Sequence, residues 1–344
     1  MIGGAAALAA ALLARLALGS VVLPIGDTLR VLLGAAEPEA ISTRIIIQFR
    51  LPRALTALVA GAGLSAAGTM MQTLFRNPLA GPAVLGVNAG ASLGVALVVL
   101  AGSTFGARVV GGTGLVAALS LGGDAVVTTS AVLGAALVML FVLLVSTRIP
   151  SALTLLVLGV LFSYAVNAVV SVLMHFSIPE EIQSYIYWTF GSFAGVSTVQ
   201  LPLVVGVVGF GLALTLLFGK PLNAMLLGET YARTMGVRVV GVRVAVIAIT
   251  ALLAGTITAF CGPIAFVGIA VPHLTRALLH TADHRLLLPA VMLIGSIVAM
   301  VSDLASSLPG LELTLPLNAI TAIVGAPVVI LVITRRGGVR EAFR

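Results

Sequence analysis

Chemistry on a substrate needs nucleophiles, acid–base pairs or metal ligands within reach of one another, and this chain offers few. Lys220 is its only lysine and no G-x-x-x-x-G-K-[ST] surrounds it, so no loop cradles nucleotide phosphates and the chain should not hydrolyse ATP itself. His280 and His284 stand four apart, the spacing of two metal ligands on one helix face. Yet Thr281, Ala282 and Asp283 between them read as a polar loop, and no carboxylate or cysteine set completes a site. His175 and His273 stand alone and read as structural groups. Cys261 is the only cysteine, which excludes an intramolecular disulfide and a cysteine metal cluster. The expectation is a protein with no catalytic residue, no cofactor and no metal.

What the sequence does offer is a polar island at 219–238, GKPLNAMLLGETYARTMGVR, between two long apolar segments. It carries Lys220, Glu229, Arg233 and Arg238. A charged, helix-forming segment held outside an apolar chain either presents itself to a soluble partner or is a solvated connector.

The elements around it follow from composition. At 60% hydrophobic and 8% charged, with a mean hydropathy of +1.22, 344 residues cannot cover their apolar surface with polar groups, so a lipid bilayer is the solvent. The net charge of +7 does not mark a nucleic-acid binder, because the arginines fall between apolar runs and not in a stripe interleaved with aromatics.

A hydrocarbon layer is crossed by ~20 apolar residues in a helix. Ten segments fit: 5–23, 53–75, 83–101, 123–146, 151–174, 199–218, 239–261, 263–280, 286–308 and 316–334. The fold class is therefore all-α and polytopic, a single transmembrane domain over 1–344. Arg15 sits inside the first span and must snorkel or face another helix. No basic leader precedes that span, which argues against a cleaved signal peptide. Residues 24–50 are mixed in polarity and predict an extramembrane segment with a short amphipathic helix over 41–49.

Basic residues in short connections stay on the cytoplasmic side. With ten spans and a cytoplasmic N-terminus, Arg30, Arg44, Arg50, Arg53 and Arg108 fall outside and Arg15 lies within the first span. The remaining twelve of the 18 Lys and Arg residues fall inside. This bias places both termini and the 219–238 island in the cytoplasm.

Gly86, Gly90 and Gly94 form a small-xxx-small face for close helix packing. Asn88 and Ser92 add polar atoms beside it, so a substrate path along that face is the alternative. Asn77-Pro78 and Gly81-Pro82 end one helix and start the next. Residues 178–192, with Tyr185, Tyr187, Trp188, Glu180 and Glu181, predict an interfacial helix at the outer surface.

The run 50–94, RLPRALTALVAGAGLSAAGTMMQTLFRNPLAGPAVLGVNAGASLG, resembles the permease subunits of the iron-siderophore, haem and vitamin B12 class of ABC importers. So do 226–239, 262–279, 283–296 and 315–333, in order, so that the likeness covers nearly the whole chain and is weakest before Pro24. The resemblance implies a type II importer permease of ten helices in the bacterial inner membrane. It further implies a homodimer with the pathway on its axis, two ATPase subunits beneath and a substrate-binding protein docking outside. The implied activity is uptake of an iron chelate, a ferric siderophore, by alternating access, with haem and cobalamin as the family's other cargoes.

Residue by residue, 226–236 resembles the helix that couples to the ATPases, with Gly228, Glu229, Tyr231, Ala232, Met235 and Gly236 on it. Arg50 and Arg53 match an outer pair implied to meet acidic residues of the binding protein. Ser151, Ala152 and Leu153 match a gate at the start of the fifth helix. Three positions depart from the pattern: Ser307 where Arg is usual, Thr314 where Glu is usual, and Asn318 where Gly is usual. A secondary transporter working without ATPases is the rival from another class, but such proteins need intramembrane ionisable groups, and beyond Arg15 the spans hold almost none away from their ends.

Overall fold

The structure is a computed structural model that describes residues 2–19, 21–37, 40–100, 123–149, 151–307 and 314–334. Arg108, Glu312 and the basic residues after Thr334 lie outside the described residues, as does the side chain of Ala152. Among the described residues every regular element is a helix. Lipid supplies no partner for a free N–H or C=O, so an apolar chain satisfies its backbone within each segment.

In chain order these are α1 (Ile2–Ala17), α2 (Ile25–Leu32), α3 (Ile41–Arg44), α4 (Leu51–Phe75), α5 (Val87–Val99), α6 (Gly123–Arg148), α7 (Ala152–Phe176) and α8 (Pro179–Thr189). There follow α9 (Leu201–Leu217), α10 (Gly219–Leu226), α11 (Glu229–Thr234), α12 (Val239–Cys261), α13 (Val267–Leu279), α14 (His284–Ser306) and α15 (Leu317–Thr334).

Each of the ten expected spans contains a helix, but they are unequal. Ile41–Phe75, Ala125–Arg148, Leu153–Phe176, Val239–Cys261 and His284–Ser306 are long and apolar enough to cross a membrane alone, and α9 reaches that length only together with α10, from which it is bent by 55°. Gly3–Ala17, Val87–Val99, Val267–Leu279 and Leu317–Leu331 are apolar but shorter.

Two boundaries differ from the sequence expectation. Residues 41–49 do not form a separate surface helix: α3 runs through a π-helical stretch, Ile45–Arg50, straight into α4. The mixed polarity of this stretch suggested a separate segment, and Pro52, lying just after the π-helical turns, does not break the helix. The second difference is at 262–266, which is not helical. Its free groups are met from outside: the Asn318 side-chain oxygen accepts from the Ala265 N–H at 2.8 Å, and the Ser192 N–H donates to the Cys261 carbonyl at 2.8 Å. Asn318 thus has a partner that a glycine would not supply. Gly262 takes φ +73 with the Trp188 carbonyl 2.4 Å from where a Cβ would lie, so a side chain is excluded there twice over.

Helix α4 is the hub, buried almost along its whole length against α9, α12, α13 and α14. Lipid gives helices no hydrophobic reason to associate, so close backbone approach replaces it. A Cβ on Gly68 would sit 1.7 Å from the Gly268 carbonyl, and one on Gly61 2.2 Å from that of Gly295. The same device joins α5 to α6, where a Cβ on Gly94 would meet the Ser130 carbonyl at 2.0 Å and one on Gly90 that of Gly134 at 2.6 Å. The glycine face of α5 is therefore a packing face. Helix α7 is the opposite of α4: only 22% of its apolar window is buried within the chain, against 89% for the helix that contains α4, and Leu153, Leu161, Tyr164 and Val172 all stand exposed.

Candidate functional site

The polar island forms two short helices, not one. The expected 226–236 helix is interrupted at Leu227-Gly228, where Gly228 takes φ +106 to start α11, and Gly236 at φ +83 ends the turn beyond it. Ala232 faces inward and is fully buried, whereas Tyr231 and Met235 are more than half exposed, at 53% and 59%. Leu227 is exposed beside them.

Glu229, the first residue of α11, turns back to the bundle. Its Oε1 accepts from Nη2 of Arg243 at 2.6 Å. Arg243 lies in the second turn of α12 and is only 2% exposed. Its Nη1 donates to the Ile149 carbonyl at 3.1 Å, and its Nε has no partner among the described residues. Ile149 follows the last residue of α6, and two residues on Ser151 N-caps α7, accepting from the Thr154 N–H at 3.2 Å. One guanidinium therefore bridges α11 to the connection that opens α7, where Ser151, Ala152 and the exposed Leu153 lie.

Helix α10 is held differently. Asn223 Oδ1 accepts from the His284 N–H at 2.8 Å and lies 2.8 Å from His284 Nδ1, while the other ring nitrogen meets Thr73 Oγ1 of α4 at 2.7 Å. The Asn223 amide donates to Asp283 at 2.6 Å, and the Arg285 N–H donates to the same oxygen at 2.9 Å. These two bonds, the Arg285 N–H first, hold the exposed Asp283 carboxyl below the usual carboxylate range. His273, in α13, donates to the Pro78 carbonyl at 2.7 Å, pinning the corner between α4 and α5.

The other end of α4 carries the second polar cluster, ~30 Å away by helical rise over the twenty residues from Arg53 to Thr73. Arg53 grips Asp303 with Nε at 2.9 and 3.0 Å and Nη2 at 2.8 Å, and Arg15 donates to the same carboxylate from α1. Arg15 thus faces another helix, as its place in the first span requires, and Asp303 is 1% exposed. Arg50 is buried; Nη1 donates to the Leu16 and Ala17 carbonyls at 2.7 and 2.8 Å, and Nη2 donates to that of Val21. The head of Arg50 is a cap on the end of α1, satisfying carbonyls the helix leaves open. Arg15, Arg50, Arg53, Ser307 and Thr314 line a cavity of about 850 Å³ open at this end.

Asn88 and Ser92 both turn to neighbours within the bundle: Asn88 Oδ1 accepts from Thr258 Oγ1 at 2.9 Å, and Ser92 bonds the Tyr185 phenol of α8. Burial raises that phenol, the bond to Ser92 working the other way. The residue that sequence reasoning passed over is Arg243, counted there as a connection charge. Its signal was present, since it stands inside the 239–261 span and an arginine there needs a nearby carboxylate. The pairing of Arg15 with Asp303 had the same signal.

The chain is a bundle of apolar helices joined through glycine contacts, with one short helix tied to it through Ala232 and the Glu229–Arg243 pair. Residues 7–335 match the FecCD transport family. The chain is 34% identical over 293 residues to the vitamin B12 import system permease protein BtuC of Klebsiella pneumoniae, covering 85% of this chain and 83% of that one. The BtuC of Salmonella typhimurium is 34% identical over 283 residues, 82% and 81% of the two chains. Among solved structures, an ABC transporter described as metal-chelate type, in an inward-facing conformation, superposes with a TM-score of 0.81 at 29% identity over 97% of this chain and 98% of that one. PsaBC from Streptococcus pneumoniae shares the fold at a TM-score of 0.51 and 18% identity, over 85% and 93% of the chains. The chain belongs to the FecCD transport family, and its fold is that of an ABC importer permease.

Proposed function

We propose that this chain is the membrane subunit of an importer that carries a bulky metal chelate inward, driven by ATP hydrolysed in two separate ATPase subunits. The observation that carries this reading is α11, with Ala232 buried beneath it and Tyr231 and Met235 presented outward beyond the apolar bundle. That is the form of a helix that seats in a soluble partner's groove. The α11 end, with both termini, lies in the cytoplasm of a bacterial inner membrane by the distribution of basic residues. Two copies associate through the unpartnered face of α7, which puts Ser151, Ala152 and Leu153 at the mouth of an axial pathway. A substrate-binding protein docks over the 850 Å³ cavity at the outer end. Arg53 lines that cavity with its guanidinium already paired to Asp303, so Arg53 and Arg50 contribute by holding α4 and α1 in place.

A ferric siderophore is the cargo proposed from the sequence. Cobalamin is the second reading, favoured by relatives named as vitamin B12 permeases. The test is uptake by sealed vesicles holding the chain with its ATPase, supplied with the binding protein and a ferric siderophore, haem or cobalamin in turn. Uptake of one chelate that needs ATP on the ATPase side bears out the reading. Uptake driven by an ion gradient without the ATPase replaces it with a secondary transporter.

A further inference from the structure

We infer that Arg243 is a positioning residue that transmits the movement of α11 to the start of α7, its two arms forming the link. This rests on the reading of the chain as an ATP-driven permease and adds to it the route of transmission within one subunit. Helix α11 is short, and Ala232 is its one fully buried side chain. Its polar tie to the bundle is Glu229, and Glu229 ends on Arg243 at 2.6 Å. Arg243 is too deeply buried to serve as a solvated charge and holds the Ile149 carbonyl at 3.1 Å with its other arm. A planar guanidinium fixes the angle between its two partners, which an ammonium on a flexible stem does not.

The bridge is itself buried, and it ends on an element with little cover within the chain. Ser151 and Leu153 are exposed at the head of a helix whose apolar face has little cover within the chain. A displacement of Glu229 is passed to Ile149 by two charge-assisted bonds through one buried guanidinium. The buried Nε without a partner among the described residues also fits a group placed for its bridge and not for full satisfaction.

The test uses the assembled importer in vesicles, comparing ATP hydrolysis, chelate uptake and maleimide labelling of a cysteine placed at Leu153, in a background where the sole cysteine is removed by Cys261→Ala. Without the bridge, in Arg243→Ala, chelate carried per ATP should fall by about tenfold, a typical coupling between sites, while hydrolysis continues. Nucleotide should then no longer alter labelling at 153. Arg243→Lys keeps the charge and should retain part of the coupling. The exchange Glu229→Arg with Arg243→Glu restores the ion pair, but its carboxylate cannot donate to the Ile149 carbonyl, so it should assemble and stay uncoupled. Should Arg243→Ala fail to assemble, the lysine and exchange variants decide. Unchanged uptake per ATP and an unchanged labelling response in the exchange variant would overturn the relay. A parent complex that takes up chelate without hydrolysing ATP would instead overturn the functional reading beneath it.

Discussion

The two ionic clusters both pair arginine with a carboxylate, but they join their elements in different ways. At the end of α4 near Arg53 one carboxylate, Asp303, serves two arginines from α1 and α4, and α4 and α14 already touch through Gly61 and Gly295. At the α11 end one arginine serves a carboxylate and a carbonyl, and the elements it joins, α11 and the head of α7, have little other contact with each other. Charge added to close packing makes a rigid block. Charge in place of packing makes a link that moves as a unit.

The contrast sharpens when each polar tie is removed. Asp303→Ala strands two guanidiniums in a low-dielectric interior and should cost ~3–5 kcal/mol, read as lost unfolding free energy in mild detergent. Arg15→Met should cost much less, because Arg53 keeps its bidentate hold on the carboxylate. Next in size is Arg50→Ala, which uncaps the end of α1 and should cost ~1.5–3 kcal/mol. If Arg50 acts mainly by holding α1, that variant should also lose binding-protein association with little change in its salt dependence. A docking charge would show the reverse.

Smaller still for stability is the paired change Tyr231→Ala and Met235→Ala, two exposed side chains whose loss should shift unfolding by no more than ~0.5 kcal/mol. The same variant should lose most of its affinity for the ATPase, seen as dissociation of the subunits on gel filtration. Full retention of the ATPase would remove α11 as the seat of the partner. The least effect belongs to Asp283. Its carboxyl is held below the ordinary value in the folded chain, so its contribution is complete above that ordinary value and disappears as pH falls through the lowered one. Asp283→Asn keeps the cap and should flatten that acid limb of the stability profile.

Much of the fold was legible because hydropathy in lipid is a strong signal. A helix in each of the ten expected segments, the corner after Phe75 and the helix at Pro179–Thr189 all follow from it. What escaped was set by partners distant in sequence. The helix through 41–50 looks amphipathic and of mixed polarity, yet the Arg50 head is taken up by the α1 carbonyls beside it. The break at 262–266 is tolerated because Asn318, 53 residues away from Ala265, supplies an oxygen. Arg243 read as a charge in a connection because the Ile149 carbonyl, 94 residues earlier, is invisible to any local pattern. The positions of Gly228, Glu229, Tyr231, Ala232, Met235 and Gly236 were readable; that Glu229 faces in and Tyr231 out was not.

Hydrogen exchange across the nucleotide cycle of the assembled importer tests the contrast most directly. Peptides covering 226–236 and 149–156 should change protection together when ATP binds, while 51–61 and 295–306 around Asp303 stay constant, and Arg243→Lys should weaken the response at 149–156 alone. A uniform change over all four regions, or a response at 149–156 that Arg243→Lys leaves intact, would contradict the division into a rigid block around Asp303 and a transmitted link through Arg243.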